Sequence, residues 1–132
     1  MKTEKQKIGL KGERIAARYL RRQGCRILAK NKHFGRNELD LVVRQGRTIA
    51  FVEVKTRSFD SPEQIDMRPS AAVDKAKRQR TVQAARAYLK QKSTALHPRF
   101  DVVEVYLDRS RHLKPFKINH IPAAFLFDGS IY

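Results

Sequence analysis

The chain has 132 residues, the size of one domain, and its 41% hydrophobic content is enough for a core. Lysine and arginine number 29 against 13 aspartate and glutamate, a net charge of +16 that points to a polyanionic partner, nucleic acid first. One cysteine, Cys25, excludes an intramolecular disulfide framework and a cysteine-based zinc site, and no apolar run has the length of a transmembrane helix.

The charged start, Met1 to Lys7, leads into no apolar signal segment, so a cytoplasmic protein without a membrane partner is expected. Residues 4–23 read as a helix. Ile8, Gly12, Ile15, Ala16, Tyr19 and Leu20 share one side at helical spacing, and Arg14, Arg18, Arg21 and Arg22 fall largely elsewhere. Gly24 ends it as a C-terminal cap does. Glu13 lies at the margin of the apolar stripe. Spacing leaves it open between a solvated ion pair with an arginine and a carboxylate delivered to the rim of a site.

Residues 25–34 read as a first strand, followed by a polar turn with His33, Gly35, Arg36 and Asn37. Residues 38–44 form a second strand, Gln45-Gly46-Arg47 a hairpin connection, and residues 48–57 a third strand. Residues 58–69 read as a loop beside these strands, and Ser70 as the cap of a basic helix over about 71–91. In that helix Lys77 projects to the packed side with Val73, Ala84 and Tyr88. His97-Pro98 breaks the helix. Residues 99–107 read as a fourth strand with both faces covered, and 113–120 as a fifth, edge strand because of Pro115. The tail, 121–132, is apolar enough to dock on the core or on a second subunit, which makes a homodimer an expectation. The order predicts a single α/β domain over 1–132, an α-β-β-β-α-β sandwich around a central mixed sheet.

The second and third strands carry charges that a buried strand does not tolerate unless they are paired or bind a metal. Glu38, Asp40 and Val42 share one face by alternation, and Leu39, Leu41 and Val43 the other. Glu53 and Lys55 share a face with Ile49 and Phe51. A hairpin brings Asp40, Glu53 and Lys55 together. Two carboxylates, with the Val54 carbonyl between them as a further oxygen, suit Mg²⁺ or Mn²⁺, and the lysine suits a bound water or a phosphate. Candidate phosphate contacts are Arg36, Arg57, Lys77, Arg78 and Arg80. The bland alternative is a salt-bridged, solvated strand face.

The pieces Gly12-Glu13, Asn31, Glu38-Leu39-Asp40-Leu41-Val42, Phe51-Val52-Glu53-Val54-Lys55-Thr56-Arg57, Lys77 and Arg99-Phe100-Asp101-Val102-Val103 resemble the UPF0102 (YraN-like) family. That family looks like a branch of the PD-(D/E)XK nucleases, distantly similar to archaeal Holliday junction resolvases. The resemblance covers the chain to about Leu107. Leu39 stands where the superfamily's name places proline, and Asn37 where the family usually has glycine. The resemblance implies a restriction-endonuclease-like fold and a Mg²⁺-dependent endonuclease acting on DNA, branched DNA included. It implies Asp40, Glu53 and Lys55 as the nuclease core, and it adds Glu13, since related resolvases carry a helix-one glutamate beside the metal. A non-catalytic nucleic-acid-binding protein of the same fold explains the charge equally well. A protein that docks on an acidic partner leaves the Asp40, Glu53 and Lys55 set unexplained.

Overall fold

The computed structural model describes residues 1–61, 63 and 74–130. The first helix, α1, spans Glu4–Arg22 and starts at a capping box. The Thr3 hydroxyl accepts from the Gln6 amide at 3.1 Å, and the Gln6 side chain accepts from the Thr3 amide at 2.9 Å. Gln23 closes the helix, and Gly24, with φ of +90°, turns the chain out of it. Three strands follow: β1 over Arg26–Phe34, β2 over Asn37–Gln45 and β3 over Thr48–Phe59. The second helix, α2, spans Lys75–Lys92, and Asp74 caps it by accepting from the Lys77 amide at 2.8 Å. β4 spans His97–Asp108 and, after one 3-10 turn, β5 spans Lys114–Phe125.

The sheet order is β1-β2-β3-β4-β5, with β3 and β4 parallel and every other pair antiparallel. The α2 crossover between β3 and β4 is what permits the parallel pair. One helix covers each face. Ala16, Ala17 and Leu20 of α1 pack on Leu41, Val43, Ala50, Val52, Val103 and Val105. Val82, Ala84, Ala85 and Tyr88 of α2 pack on Val42, Phe51, Phe100 and Val102. Burying both faces is why β2, β3 and β4 read as nearly continuous apolar runs. The expected α/β sandwich around a mixed sheet is therefore the observed architecture.

Several boundaries differ from the sequence reading. The described part of α2 begins at Lys75 behind Asp74, so Ser70 is not the residue that caps Lys75. Ser70 itself, Val73 and the predicted loop residues Pro62, Asp66 and Pro69 lie outside the described residues, as do Ile131 and Tyr132. His97 and Pro98 belong to β4 rather than to a break. β5 continues through Pro122 to Phe125 and so takes in the first part of the predicted tail. The strand tolerates Pro115 and Pro122 because it lies at the sheet's edge. The tail docks on its own core: Phe125 stacks on Phe100 at 4.9 Å between centroids, and Phe127 meets the same ring edge-on.

A buried acid fastens β5 to β4. The ladder slips between Phe100 and Val102, and Asp101 sits at the slip, 1% exposed. Its carboxylate accepts from Arg99 Nε and Nη2 at 2.8 and 2.9 Å and from the Ala123 amide at 3.0 Å. His120 Nε2 lies 2.8 Å from the same group and, beside an ionised carboxylate, donates to it. Burial works to raise this carboxyl, and the hydrogen bonds from His120, Arg99 and Ala123 outweigh it and hold it below the usual aspartate range.

A candidate carboxylate centre at the parting of two strands

The β2–β3 ladder runs from the Gly46 turn as far as Leu41 opposite Val52 and pairs no further. At the next position Asp40 replaces the ladder with its side chain: Oδ2 accepts from the Val54 amide at 2.9 Å. Strict alternation fails there. Leu39 packs with the α2-side cluster, whereas Leu41 and Val43 pack with the α1-side cluster. The expectation that Leu39, Leu41 and Val43 share one face is thus corrected: beyond Leu41 the strand is paired only to β1, and the left-handed Asn31 of β1 lies between the partners of Leu41 and Leu39, where the alternation breaks.

Glu53 stands beside Asp40 across this parting. Both are buried, at 7% and 8% exposed. The two carboxyls are close enough for each to act on the other's proton. Burial, then the Asp40 charge, pushes the Glu53 carboxyl up to about 8. Burial also raises Asp40, against the Val54 amide and the Lys77 charge, which lower it. Lys77 reaches down from the first turn of α2 and places Nζ 3.2 Å from Glu53 Oε1. Burial disfavours its ammonium, but Glu53 and Asp40 outweigh that and hold its pKa above the usual lysine range.

Glu13 comes from α1. Its carboxyl is raised by burial and then by the charge of Asp40, and is partly relieved by a hydrogen bond with the Asn31 side chain. Its place is fixed by its neighbour. A Cβ added to Gly12 would overlap the Thr56 hydroxyl of β3 and stand 2.8 Å from the Thr56 Cβ. Only glycine lets α1 lie this close to β3. Asn31, between register partners Lys30–Leu41 and Lys32–Leu39, holds a left-handed φ of +47° that asparagine adopts more readily than most residues.

The structure therefore brings together Asp40, Glu53, Glu13 and Lys77, with Glu38 close enough to act on Glu13, Asp40 and Lys77. The other predicted residues fall differently. Lys55 is half-buried on β3, and its charge reaches Asp74 at the α2 cap. The ammonium on Glu53 is that of Lys77, which the sequence reading had assigned to phosphate contact. Arg57 lies with Nε 3.8 Å from the fully buried Glu104. Arg78 donates to the Gly129 carbonyl at 2.6 Å. Arg36 and Arg80 are exposed. Asn31, Glu38 and Lys77 as members of the cluster were missed. The periodicity that places Lys77 on the packed side of α2 was the available signal.

Can this cluster hold a cation? Among the described residues Glu53 Oε2 and Glu13 Oε2, like Glu104 Oε2 on β4, are buried without a hydrogen-bond partner, a costly state unless something else satisfies them. A strand residue's amide and carbonyl point to the same neighbour, so the Val54 carbonyl, like its amide, faces β2 and Asp40. Among the described residues no three carboxylate, imidazole or thiol groups close around a common point. Two carboxylates and a carbonyl suit a hard divalent ion that keeps several waters, Mg²⁺ above all. The donor set fits.

A sequence model described as an uncharacterised protein family, UPF0102, matches residues 12–105. A UPF0102 protein of Caldanaerobacter subterraneus subsp. tengcongensis is 41% identical over 94% of this chain and 98% of its own length. One from Syntrophotalea carbinolica is 42% identical over 92% and 94%, and one from Solibacter usitatus 46% identical over 75% and 74%. Among the described residues no helix is long and apolar enough to cross a membrane. The chain belongs to the UPF0102 family.

Proposed function

We propose that this UPF0102 protein is a divalent-metal-dependent endonuclease that hydrolyses phosphodiester bonds in DNA. One observation carries the reading: two carboxyls buried where β2 and β3 part, one with an orphaned oxygen and a pKa pushed up to about 8, in a chain of net charge +16. Glu104 also buries an oxygen without a hydrogen bond, but it faces Arg57 and Asn119, whereas Asp40, Glu53 and Glu13 crowd together around Lys77.

Asp40 and Glu53, with the Val54 carbonyl, would hold Mg²⁺ or Mn²⁺, and Glu13 would approach from α1. When bound, such an ion offsets phosphate charge and lowers the pKa of a coordinated water. The protein's own residues do the rest. The Val54 amide fixes the Asp40 rotamer at 2.9 Å. Lys77 holds Glu53 Oε1 at 3.2 Å and leaves Oε2 for the ion. Lys55, on the same strand two residues on, would orient the attacking water or steady charge on the phosphate. The exposed Arg36 and Arg80 would serve as phosphate contacts.

The test is cleavage of linear, nicked and four-way DNA with Mg²⁺, Mn²⁺ or EDTA, comparing wild type with Asp40→Asn, Glu53→Gln and Lys55→Ala. Metal-dependent cutting lost in the variants supports the reading. Equal cutting by the variants, or tight salt-sensitive binding with no cutting in either metal, overturns it, the latter in favour of a non-catalytic binding protein.

A further inference from the structure

Beside the carboxylate centre a groove runs between the first half of α1 and the edge strand β1. Its outer part is a cavity of about 410 Å³ lined by Lys2, Lys7, Leu10, Arg14 and Lys30, with Glu13 and Asn31 among its walls. Lys7, Leu10 and Arg14 fall at i, i+3 and i+7, on one side of the helix. Lys30 faces them from β1. None of these four cations takes part in an ion pair among the described residues, although the chain has acids elsewhere that hold arginines closely. An adjoining cavity of about 430 Å³ shares Lys2, Leu10, Glu13 and Asn31 and continues to His33 and Glu38. The groove is therefore cationic at its outer end and acidic where it meets the catalytic cluster.

Four unpaired cations around a small concavity are a site for phosphate. The size limits what carries the phosphate. A concavity of this volume matches one nucleotide, and an unpaired nucleotide, base as well as phosphate, fills it more fully than the phosphate edge of a duplex does. We propose that this groove receives a single, unpaired strand of DNA, its phosphates on Lys7, Arg14 and Lys30, and feeds it toward Glu13. The inference deepens the nuclease reading and rests on it for its purpose: the substrate class becomes DNA with an unpaired segment next to the cut, such as a flap or fork, and fully paired DNA is the poorer ligand.

Binding separates this inference from catalysis. Fluorescein-labelled oligo-dT of 15 nucleotides and a blunt duplex of mixed sequence are titrated by anisotropy in EDTA, where no hydrolysis occurs. The Lys7→Ala/Arg14→Ala/Lys30→Ala triple variant should bind the single strand at least tenfold more weakly and the duplex less than threefold more weakly. Its log–log salt slope for the single strand should fall by about 2, as expected for three lost phosphate contacts. An Arg47→Ala/Lys90→Ala/Lys114→Ala variant removes the same charge from exposed positions elsewhere and should weaken both ligands alike and slightly. The proposal fails if the groove variant loses no more than this control, or if it loses single strand and duplex equally. A wild type that binds as described but cuts nothing with any metal retires the nuclease and leaves the groove standing.

Discussion

Two buried acids sit on neighbouring strands of one sheet and behave in opposite ways. Asp101 on β4 accepts four hydrogen bonds, and its pKa is depressed. Glu53 on β3 faces the charge of Asp40, leaves one oxygen without a hydrogen bond among the described residues, and has a pKa raised to about 8. Burial is similar, so burial is not the difference. Donors are. At Asp101 the chain spends an arginine, a histidine and a backbone amide on one carboxylate. At the parting of β2 and β3 it gathers Glu13, Glu38, Asp40 and Glu53 around a single lysine. The first arrangement completes a fold. The second is incomplete until a cation or a proton arrives.

The sharpest way to break this contrast is to neutralise each acid. Glu53→Gln or Asp40→Asn is expected to lower DNA cleavage at least about 10³-fold, roughly 4 kcal/mol of barrier, while thermal stability without metal stays level or rises. Steady-state cleavage and calorimetric melting on the same preparations check both halves. Asp101→Asn should do the reverse. It leaves Arg99 and His120 around a neutral amide and should cost about 3 kcal/mol in urea unfolding, with cleavage at a permissive temperature changed less than threefold.

Moving the helix that carries Glu13 tests the geometry between these extremes. Gly12→Ala pushes α1 off Thr56 and should cost about 2 kcal/mol, with a larger loss of cleavage than its stability explains. Equal stability in wild type and variant would show that α1 can shift without penalty.

The two acids also predict opposite pH responses. The folded pKa of Asp101 is depressed, so its contribution is present above the unfolded value near 4 and is lost as pH falls through the lower folded value. The folded pKa of Glu53 is raised from about 4.5 to about 8, so without metal it destabilises the fold progressively as pH climbs between those values, and Glu53→Gln should melt a few degrees higher at pH 9 and alike at pH 4. Mn²⁺ must displace the proton that Glu53 carries below about pH 8. Calorimetric titration in buffers of different ionisation enthalpy should therefore show proton release near pH 7 and tighter binding toward pH 8. The smallest effect is local: Thr3→Ala removes the α1 capping box and should cost about 1 kcal/mol without touching either acid.

Most of the architecture was legible because hydrophobic period and turn chemistry agreed. The Gly46 hairpin, the Gly24 stop and the two-sided burial of β4 all follow from residue pattern. The end of β5 was not legible, since Pro122 argues against a strand and what holds it there, the Ala123 amide on Asp101 and the stacking of Phe125 on Phe100, is tertiary. In the candidate centre, Asp40 and Glu53 stood out as charges in apolar runs. Lys77 did not, because which ammonium reaches a carboxylate depends on how α2 docks, and alternation within β3 nominates Lys55 alone. Asn31 is polar on an exposed edge strand and carries no signal without its backbone angle. Leu39 was misplaced because beyond Leu41 the strand is paired only to β1, and the alternation breaks there at the left-handed Asn31.

The sheet has two free borders, and both are closed to company. β5 carries Pro115 and Pro122 within twelve residues, a slipped register and a left-handed alanine. β1 is studded with Arg26, Lys30 and Lys32 and interrupted by the left-handed Asn31. Neither offers an unbroken row of amides and carbonyls to another strand, and like charges on β1 repel a copy of itself. The strand ends that part around Asp40 and Glu53 thus lie inside a sheet whose own borders give a second copy little to add a strand to.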